Sequence, residues 1–429
     1  MGKLEKYSSY KDSGVEWLGE IPENWEIKKL KFIVKEHGGN GFPISEQGNM
    51  DGFIPFYKVS DMNGNDTFIE QSNNYVSELT IKKMKWNLIP VNSIITAKIG
   101  EALRKNHRKI TKIPSIIDNN CIALEPIRID IKFNFYLHKV IDFDWFSNVG
   151  AVPSISVPQY KNFKITLPPK QEQIKIASFL DEKTSQIDEV ISQKEKLIEL
   201  LKERKQIVIN DAVTKGLDKE VEFVDSGVEW INKIPKHWKI KKLKFVFKEI
   251  NERSETGEEE LLSLSKYQGV IPKSSLEERA GMAKTLVGYK KVYKNDLVIN
   301  KMQAVNGLLA VSKIEGITSP DYAVYRTISD KYNIDYYGNL LSQSVYLSEF
   351  KKVVTGVMEG FIRLYTDDLY NIIVQVPPED EQLQIVEYIE NQIIKIDKAI
   401  ELQQNYISKL KEYKASLIDS VVTGKVRVA

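Results

Sequence analysis

Six basic side chains, Lys98, Arg104, Lys105, Arg108, Lys109 and Lys112, fall within one short run against a single acid, Glu101. Asn106 and His107 sit among them. Ammonium and guanidinium groups at that density suit phosphate neutralisation, and polar side-chain edges can hydrogen-bond the edges of bases. Arginine matches guanine bidentately; asparagine and glutamine match adenine. The competing expectation is a solvated charged face. Two lysine groups elsewhere, Lys28, Lys29, Lys31, Lys35 and Lys241, Lys242, Lys244, Lys248, carry the same ambiguity.

Catalytic constellations are not visible. Four histidines (His37, His107, His138, His237) and one cysteine, Cys121, lie far apart without metal-ligand spacing. Cys121 reads as a small buried hydrophobe. There is no P-loop, and Gly38-Gly39-Asn40-Gly41 lacks the strand-then-helix context of a cofactor loop. The Pro-Pro pairs are followed by Lys170 and Glu379, not by the aromatic residue of amino-methyltransferase motifs. Pro320-Asp321 with Glu349-Phe350-Lys351 only loosely imitates a nuclease motif.

A chain of 429 residues accommodates two or three domains. With 42% hydrophobic and 28% charged residues it belongs to the globular class. The net charge of +2 leaves any basic surface to local clustering. The sequence predicts no signal peptide, no apolar run near the roughly 20 residues that span a bilayer, and no internal disulfide. These features fit a cytoplasmic protein without membrane partners.

The elements that must position the basic segment are written twice. Residues 12–36 and 225–249 share 17 of 25 positions at an offset of 213, both opening Asp-Ser-Gly-Val-Glu-Trp. Residues 167–214 and 376–423 repeat at an offset of 209. The stretches between have diverged, which suits two readers of different things on one frame.

Each tail starts at Pro-Pro and closes near Gly216 or Gly424, as helices do. Heptad stripes run from Leu180 to Ala212 and from Ile389 to Val421, which predicts a coiled coil. Polar residues interrupt both stripes at matched positions, Lys194 with Gln403 and Lys205 with Lys414, and these are expected to set the register of helix pairing. A helix over 170–214 would be about 68 Å long. The alternative is two amphipathic helices packing separately.

The middles read as mixed α/β. Asn92-Ser-Ile-Ile and Asn295-Asp-Leu-Val predict a turn followed by a strand, and 137–146 and 336–350 predict helices. The counterpart of the basic run offers Lys301, Gln303 and Asn306. Ser154, Ser156 and Gln159 after Gly150, and Arg363 and Tyr365 after Gly360, complete the candidate DNA-contacting residues.

Each half thus has Ile-Pro-x-x-Trp (Ile21, Pro22, Trp25; Ile234, Pro235, Trp238), a variable stretch, and Pro-Pro-x-x-Glu-Gln-x-x-Ile leading into a long helix (Pro168, Pro169, Glu172, Gln173, Ile176; Pro377, Pro378, Glu381, Gln382, Ile385). Over essentially its whole length the chain resembles the specificity subunits of Type I restriction-modification enzymes. The resemblance implies an α+β fold with two mixed α/β target recognition domains separated by two long helices. Those helices form an antiparallel coiled coil, with an internal pseudo-two-fold repeat. The segments are then 1–24, an N-terminal opening; 25–168, the first recognition domain; 169–216, a central spacer helix; 217–237, a linker with the repeated motif; 238–377, the second recognition domain; and 378–429, a C-terminal spacer helix and tail.

It further implies a non-catalytic subunit that binds an asymmetric bipartite site in double-stranded DNA, one half per domain, in defence against foreign DNA. The implied partners are two methyltransferase subunits, which use S-adenosylmethionine, and two motor-nuclease restriction subunits, which use ATP and magnesium. No cofactor is implied for this chain. The rival readings are a self-contained nuclease or methyltransferase, and a coiled-coil scaffold.

Overall fold

The computed structural model describes residues 5–64, 66–148, 152–266, 268–276, 285–356 and 362–428. The chain divides into two compact units, residues 1–195 with 404–429 and residues 196–403. The first long helix, Lys170–Lys215, begins in the first unit and ends in the second; the second, Glu379–Val422, does the reverse. No described helix is long and apolar enough to cross a membrane.

Both long helices bury part of their heptad stripes. Leu180, Ile187 and Ile191 are buried on the first, and Ile389, Ile407, Leu417 and Val421 on the second. Within each unit the two helices run antiparallel. In the first, Lys414 Nζ reaches both oxygens of Asp188 at 2.7 and 2.6 Å, and Lys194 Nζ lies 4.7 Å from the Tyr406 ring centre. In the second, Lys205 Nζ reaches both oxygens of Asp397 at 2.8 Å. The two Lys–Asp bridges are the same bridge repeated, each residue displaced by 209. The aspartates are half-exposed, so each bridge adds at most about 1 kcal/mol.

The two domains share a strand order despite their divergence. In the first, Val34–Gly38, Cys121–Pro126, Ile94–Ala97 and Lys109–Thr111 are neighbours in that order, all antiparallel, and Phe68–Ile69 adds a parallel edge. In the second, Phe247–Ile250, Tyr322–Thr327, Leu297–Asn300 and Leu309–Val311 follow the same order. The turn before each central strand uses a left-handed asparagine, Asn92 at φ +65° and Asn295 at φ +68°. Cys121 is buried in the first sheet.

Two expected helices have other bounds. The first helix of its region is Ile131–Val140, N-capped by Asp130, and Phe143–Phe146 is a separate 3-10 turn. The 336–350 stretch is two helices, Ile334–Leu341 and Ser344–Val353, broken at Ser342 and Gln343. Phe143 and Phe146 pack inward as a turn, where a continued helix would aim them elsewhere.

The repeated motifs close each domain onto its helix. Glu26–Lys29 pairs antiparallel with Lys164–Leu167, and Lys239–Lys242 with Ile373–Val376, so each domain starts and ends at one place. The motif glutamine then clips three segments together. Gln173 Nε2 donates to the Pro168 carbonyl at 2.8 Å, while its Oε1 accepts from the backbone N–H of Asp130 at 2.8 Å. Gln382 does the same with Pro377 at 2.9 Å and Asn333 at 2.8 Å, and also donates to the Lys331 carbonyl. Asp130 and Asn333 are the N-caps of the domain helices, so one buried amide joins the start of each long helix to the start of a domain helix.

The motif glutamate holds the opening motif. Glu172 accepts from Tyr7 at 2.7 Å and Asn24 at 3.4 Å; Glu381 bonds His237 at 2.7 Å and Trp238 Nε1 at 3.0 Å. Against each opening tryptophan sits the glycine that ends the other long helix. Gly424 has φ +79°, and a Cβ there would lie 2.4 Å from Pro22 and 3.0 Å from Trp25; Gly216, at φ +77°, is similarly close to Trp238. Both positions need glycine for conformation and for space.

Because both glutamines are buried and bonded, Gln173→Ala and Gln382→Ala should each cost about 1–3 kcal/mol by leaving buried backbone groups unpaired. Thermal or urea denaturation checks this; unchanged stability in both variants would refute the clip.

Candidate nucleic-acid interface

In each domain the central strand runs out into the candidate loop, and a backbone bond ties that loop to the segment before the final helix. Ile155 N donates to Lys98 O at 2.9 Å, and Leu364 N donates to Lys301 O at 2.9 Å. The first loop is further fastened by Gly100 N to Pro153 O at 2.8 Å. Candidates more than 50 residues apart in sequence therefore lie side by side: Lys98 with Ser154 and Ser156, Lys301 with Arg363 and Tyr365. Gly150 and Gly360 lie outside the described residues.

Within the first loop the basic run splits by direction. Arg104 and Lys105 are exposed. Arg104 leans on Glu101 at 3.1 Å and Asp144 at 3.6 Å. Asn106 and His107 are half-buried, and Asn106 turns the chain at φ +54°. Burial, followed by the nearby charges of Lys139, Lys105, Lys109 and Arg108, holds the His107 imidazole below its ordinary pKa.

Arg108 corrects the expectation of an outward arginine: it is 1% exposed. Its guanidinium lies 4.1 Å from the Phe143 ring centre, donates to Thr96 Oγ1 at 2.5 Å and to the carbonyls of His107 and Ile141 at 3.1 and 3.3 Å, and also bonds Asn106 Oδ1. Burial pushes its pKa down to about 9. It cannot touch DNA in this conformation; it shapes the loop from beneath. Lys109 is buried as well, its ammonium on the Asp66 carbonyl. The cause is the return into the sheet at Lys109–Thr111, which turns the end of the run inward.

Ser154 is half-buried in a two-residue strand, Ser156 begins the helix Val157–Asn162, and Gln159 is exposed on that helix. In the second domain Lys301 is held low, 3.5 Å from Glu249. Burial opposes charge on Glu249, but the Thr366 hydroxyl, Lys290 and Lys301 outweigh it and keep the carboxyl below its ordinary pKa. Gln303 and Asn306 are exposed and joined by a 2.7 Å amide–amide bond, which leaves further donor and acceptor capacity on both side chains. Arg363 pairs with Asp321 at 3.1 Å, and Tyr365 is 48% exposed.

Sequence reasoning missed Lys139 and Trp145. They line a cavity of about 790 Å³ in the first unit with Trp17, His107, Lys414 and Asp188. Burial and nearby cations bring Lys139 down to about 8. Neither residue belongs to a motif or spacing that marks it in the sequence.

Two domains of one strand order, carrying unlike polar loops on one repeated frame, define a duplicated two-domain protein. Residues 22–200 match the Type I restriction modification DNA specificity domain. Across 95% of this chain and 94% of the relative, the sequence is 23% identical to the Type I restriction enzyme MjaVIII specificity subunit of Methanocaldococcus jannaschii. It is 26% identical to the EcoR124I/EcoR124II specificity subunit of Escherichia coli over 53% of this chain and 51% of that one. The fold resembles the HsdS subunit from Thermoanaerobacter tengcongensis, with TM-score 0.53 and 14% identity over 95% and 98% of the two chains. A chain from a structural study of Type I R-M complex assembly gives TM-score 0.65 and 15% identity over 94% and 98%. The chain thus carries a region that matches this specificity domain and is similar over nearly its whole length to a Type I specificity subunit.

Arg108→Ala should destabilise the first domain by about 2–4 kcal/mol, since it empties a buried site and strands several acceptors. Denaturation curves measure it; a loss below about 0.5 kcal/mol would return Arg108 to the surface.

Proposed function

We propose that this chain reads an asymmetric bipartite site in double-stranded DNA, one half per domain, for a Type I restriction-modification assembly. The observation that carries this reading is unlike loops on like cores: the first domain offers Lys98, Arg104, Lys105, Asn106 and His107, the second Lys301, Gln303, Asn306, Arg363 and Tyr365. Exposed cations hold phosphates, and the amide, serine and tyrosine groups read base edges. Lys194, Lys205, Gln403 and Lys414 fix which stretches of the two helices pair. Lys205 and Lys414 do so through their aspartate bridges. Each inward-facing polar residue penalises a slipped register more than it stabilises the correct one.

The chain is not itself an enzyme in this reading. Two methyltransferase subunits bring S-adenosylmethionine, two motor-nuclease subunits bring ATP and magnesium, and this chain decides where they act.

Arg104→Ala should leave stability within about 0.5 kcal/mol, because the side chain is exposed. DNA affinity should fall, with a salt slope shallower by about 0.9 for one lost phosphate contact. Unchanged affinity and slope would place the loop away from DNA.

Exchanging residues 25–168 for the same domain of a relative should alter one half of the methylated site and leave the other intact. Methylome sequencing reads this directly; a change in both halves would refute modular reading.

A further inference from the structure

Three strand ends of the first domain meet at one end of its sheet. Val34–Gly38 and Ile94–Ala97 finish there and Cys121–Pro126 begins there, with Cys121 opposite Ala97 and Ile122 opposite Gly38. The turn leading into Cys121 is Asp118-Asn119-Asn120. Its backbone is held from several sides. Asp118 N donates to Tyr57 O at 3.0 Å, Cys121 N closes the turn on Asp118 O at 3.0 Å, and Lys98 N donates to Asn120 O at 2.8 Å. Asp118 Oδ1 accepts from Asn120 N at 2.6 Å. A Cβ on Gly39 would overlap the Asp118 carbonyl, so a glycine there lets the neighbouring strand end close onto the turn. Since the Lys98 carbonyl also takes Ile155 N, the turn, Lys98 and the Ser154 segment form one stitched row.

Folding makes no use of the Asn119 and Asn120 side chains. Neither residue has a positive φ, the conformation for which turns select asparagine. Both are exposed, and among the described residues neither side-chain amide has a hydrogen-bond partner. The one side chain the turn needs is that of Asp118.

The second domain builds the same turn at the same place with other chemistry. Ser319-Pro320-Asp321 leads into Tyr322, which lies opposite Asn300 at the end of the central strand. Tyr322 N closes on Ser319 O at 3.0 Å, and Ser319 Oγ accepts from Asp321 N at 3.3 Å. Where the first turn presents two amides, the second presents a proline and a carboxylate bound to Arg363 at 3.1 Å. The support is common to both domains and the tip is particular to each. A neutral amide adds little to phosphate attraction, but its donor and acceptor match the adenine edge. Such a match needs a rigid mount, which the pinned turn supplies.

We propose that Asn119 and Asn120 are base-reading residues of the first domain, matched to adenine edges, with Lys98 beside them for the phosphate backbone. This deepens the functional reading above and rests on it.

The test uses the full chain with the methyltransferase subunit of its own system. Methylome sequencing of a strain carrying both gives the target. Affinities are then measured on that target, on versions changed one base pair at a time, and on unrelated duplex. Asn119→Ala and Asn120→Ala are made singly and together. Asn119→Ser and Asn120→Ser, which put a turn-forming residue without the amide at each place, keep the test readable if alanine disturbs the turn. Thermal midpoints should stay at the wild-type value, because both side chains are exposed. Each single variant should bind the target roughly tenfold more weakly, the scale of one lost bidentate base contact, with preference relaxed at an A·T pair in one half of the site. Affinity for unrelated duplex and the salt slope should not move. Variants that keep wild-type affinity and preference would overturn the assignment and leave the functional reading intact. An equal loss on every duplex would make the turn a sequence-independent contact and also overturn it. A wild-type chain that directs no bipartite methylation and binds no duplex selectively would overturn the functional reading, and this inference with it.

Discussion

A single buried amide in each half, Gln173 or Gln382, holds the junction on which everything else is hung. It binds the carbonyl just before the long helix and the backbone N–H that caps a domain helix, so two helix starts share one side chain. A buried amide with its partners in place is stable, and one left unpaired is costly, so the geometry around it has little freedom. The adjacent glutamate ties in the opening motif, and the strand pair beside it brings the two ends of the domain together. This is why the Pro-Pro-x-x-Glu-Gln and Ile-Pro-x-x-Trp motifs persist in both halves: they are the two faces of one joint.

With its ends fixed, a domain can change its loops without disturbing the helices. The four shared strands supply a rigid core, and the candidate contacts lie where the central strand leaves it. In the first domain the core reaches into the loop through Arg108, whose buried guanidinium orients Asn106 and the His107 carbonyl. In the second domain the comparable support is ionic, with Glu249 gathering Lys290, Lys301 and Thr366. A buried guanidinium in one domain and a half-buried ionic cluster in the other thus hold two different loops at the same place in the shared strand order. Cations spent beneath the surface are unavailable to phosphates, so the contact chemistry of each loop is narrower than its composition.

The frame was legible in the sequence because its signals are local or periodic. A heptad stripe states which helix face is buried, and Leu180, Ile187, Ile191, Ile389, Ile407, Leu417 and Val421 are buried along it. The turn asparagines Asn92 and Asn295 announced their strands because few residues accept a positive φ. Duplication added a second copy of every motif. That separates repeated structure from variable surface within one chain.

Side-chain direction and long-range pairing were decided only by tertiary structure. Nothing local distinguishes Arg104, which faces solvent, from Arg108, which is buried four residues later. The difference arises because the chain turns at a left-handed Asn106 and re-enters a sheet whose aromatic neighbour, Phe143, comes from another segment. The joining of Lys98 to Ile155 and of Lys301 to Leu364 likewise depends on contacts across more than 50 residues, which spacing cannot encode. The sequence by itself determined the repeat, the long helices and the class of chemistry; packing decided which of the polar residues are free to carry it out.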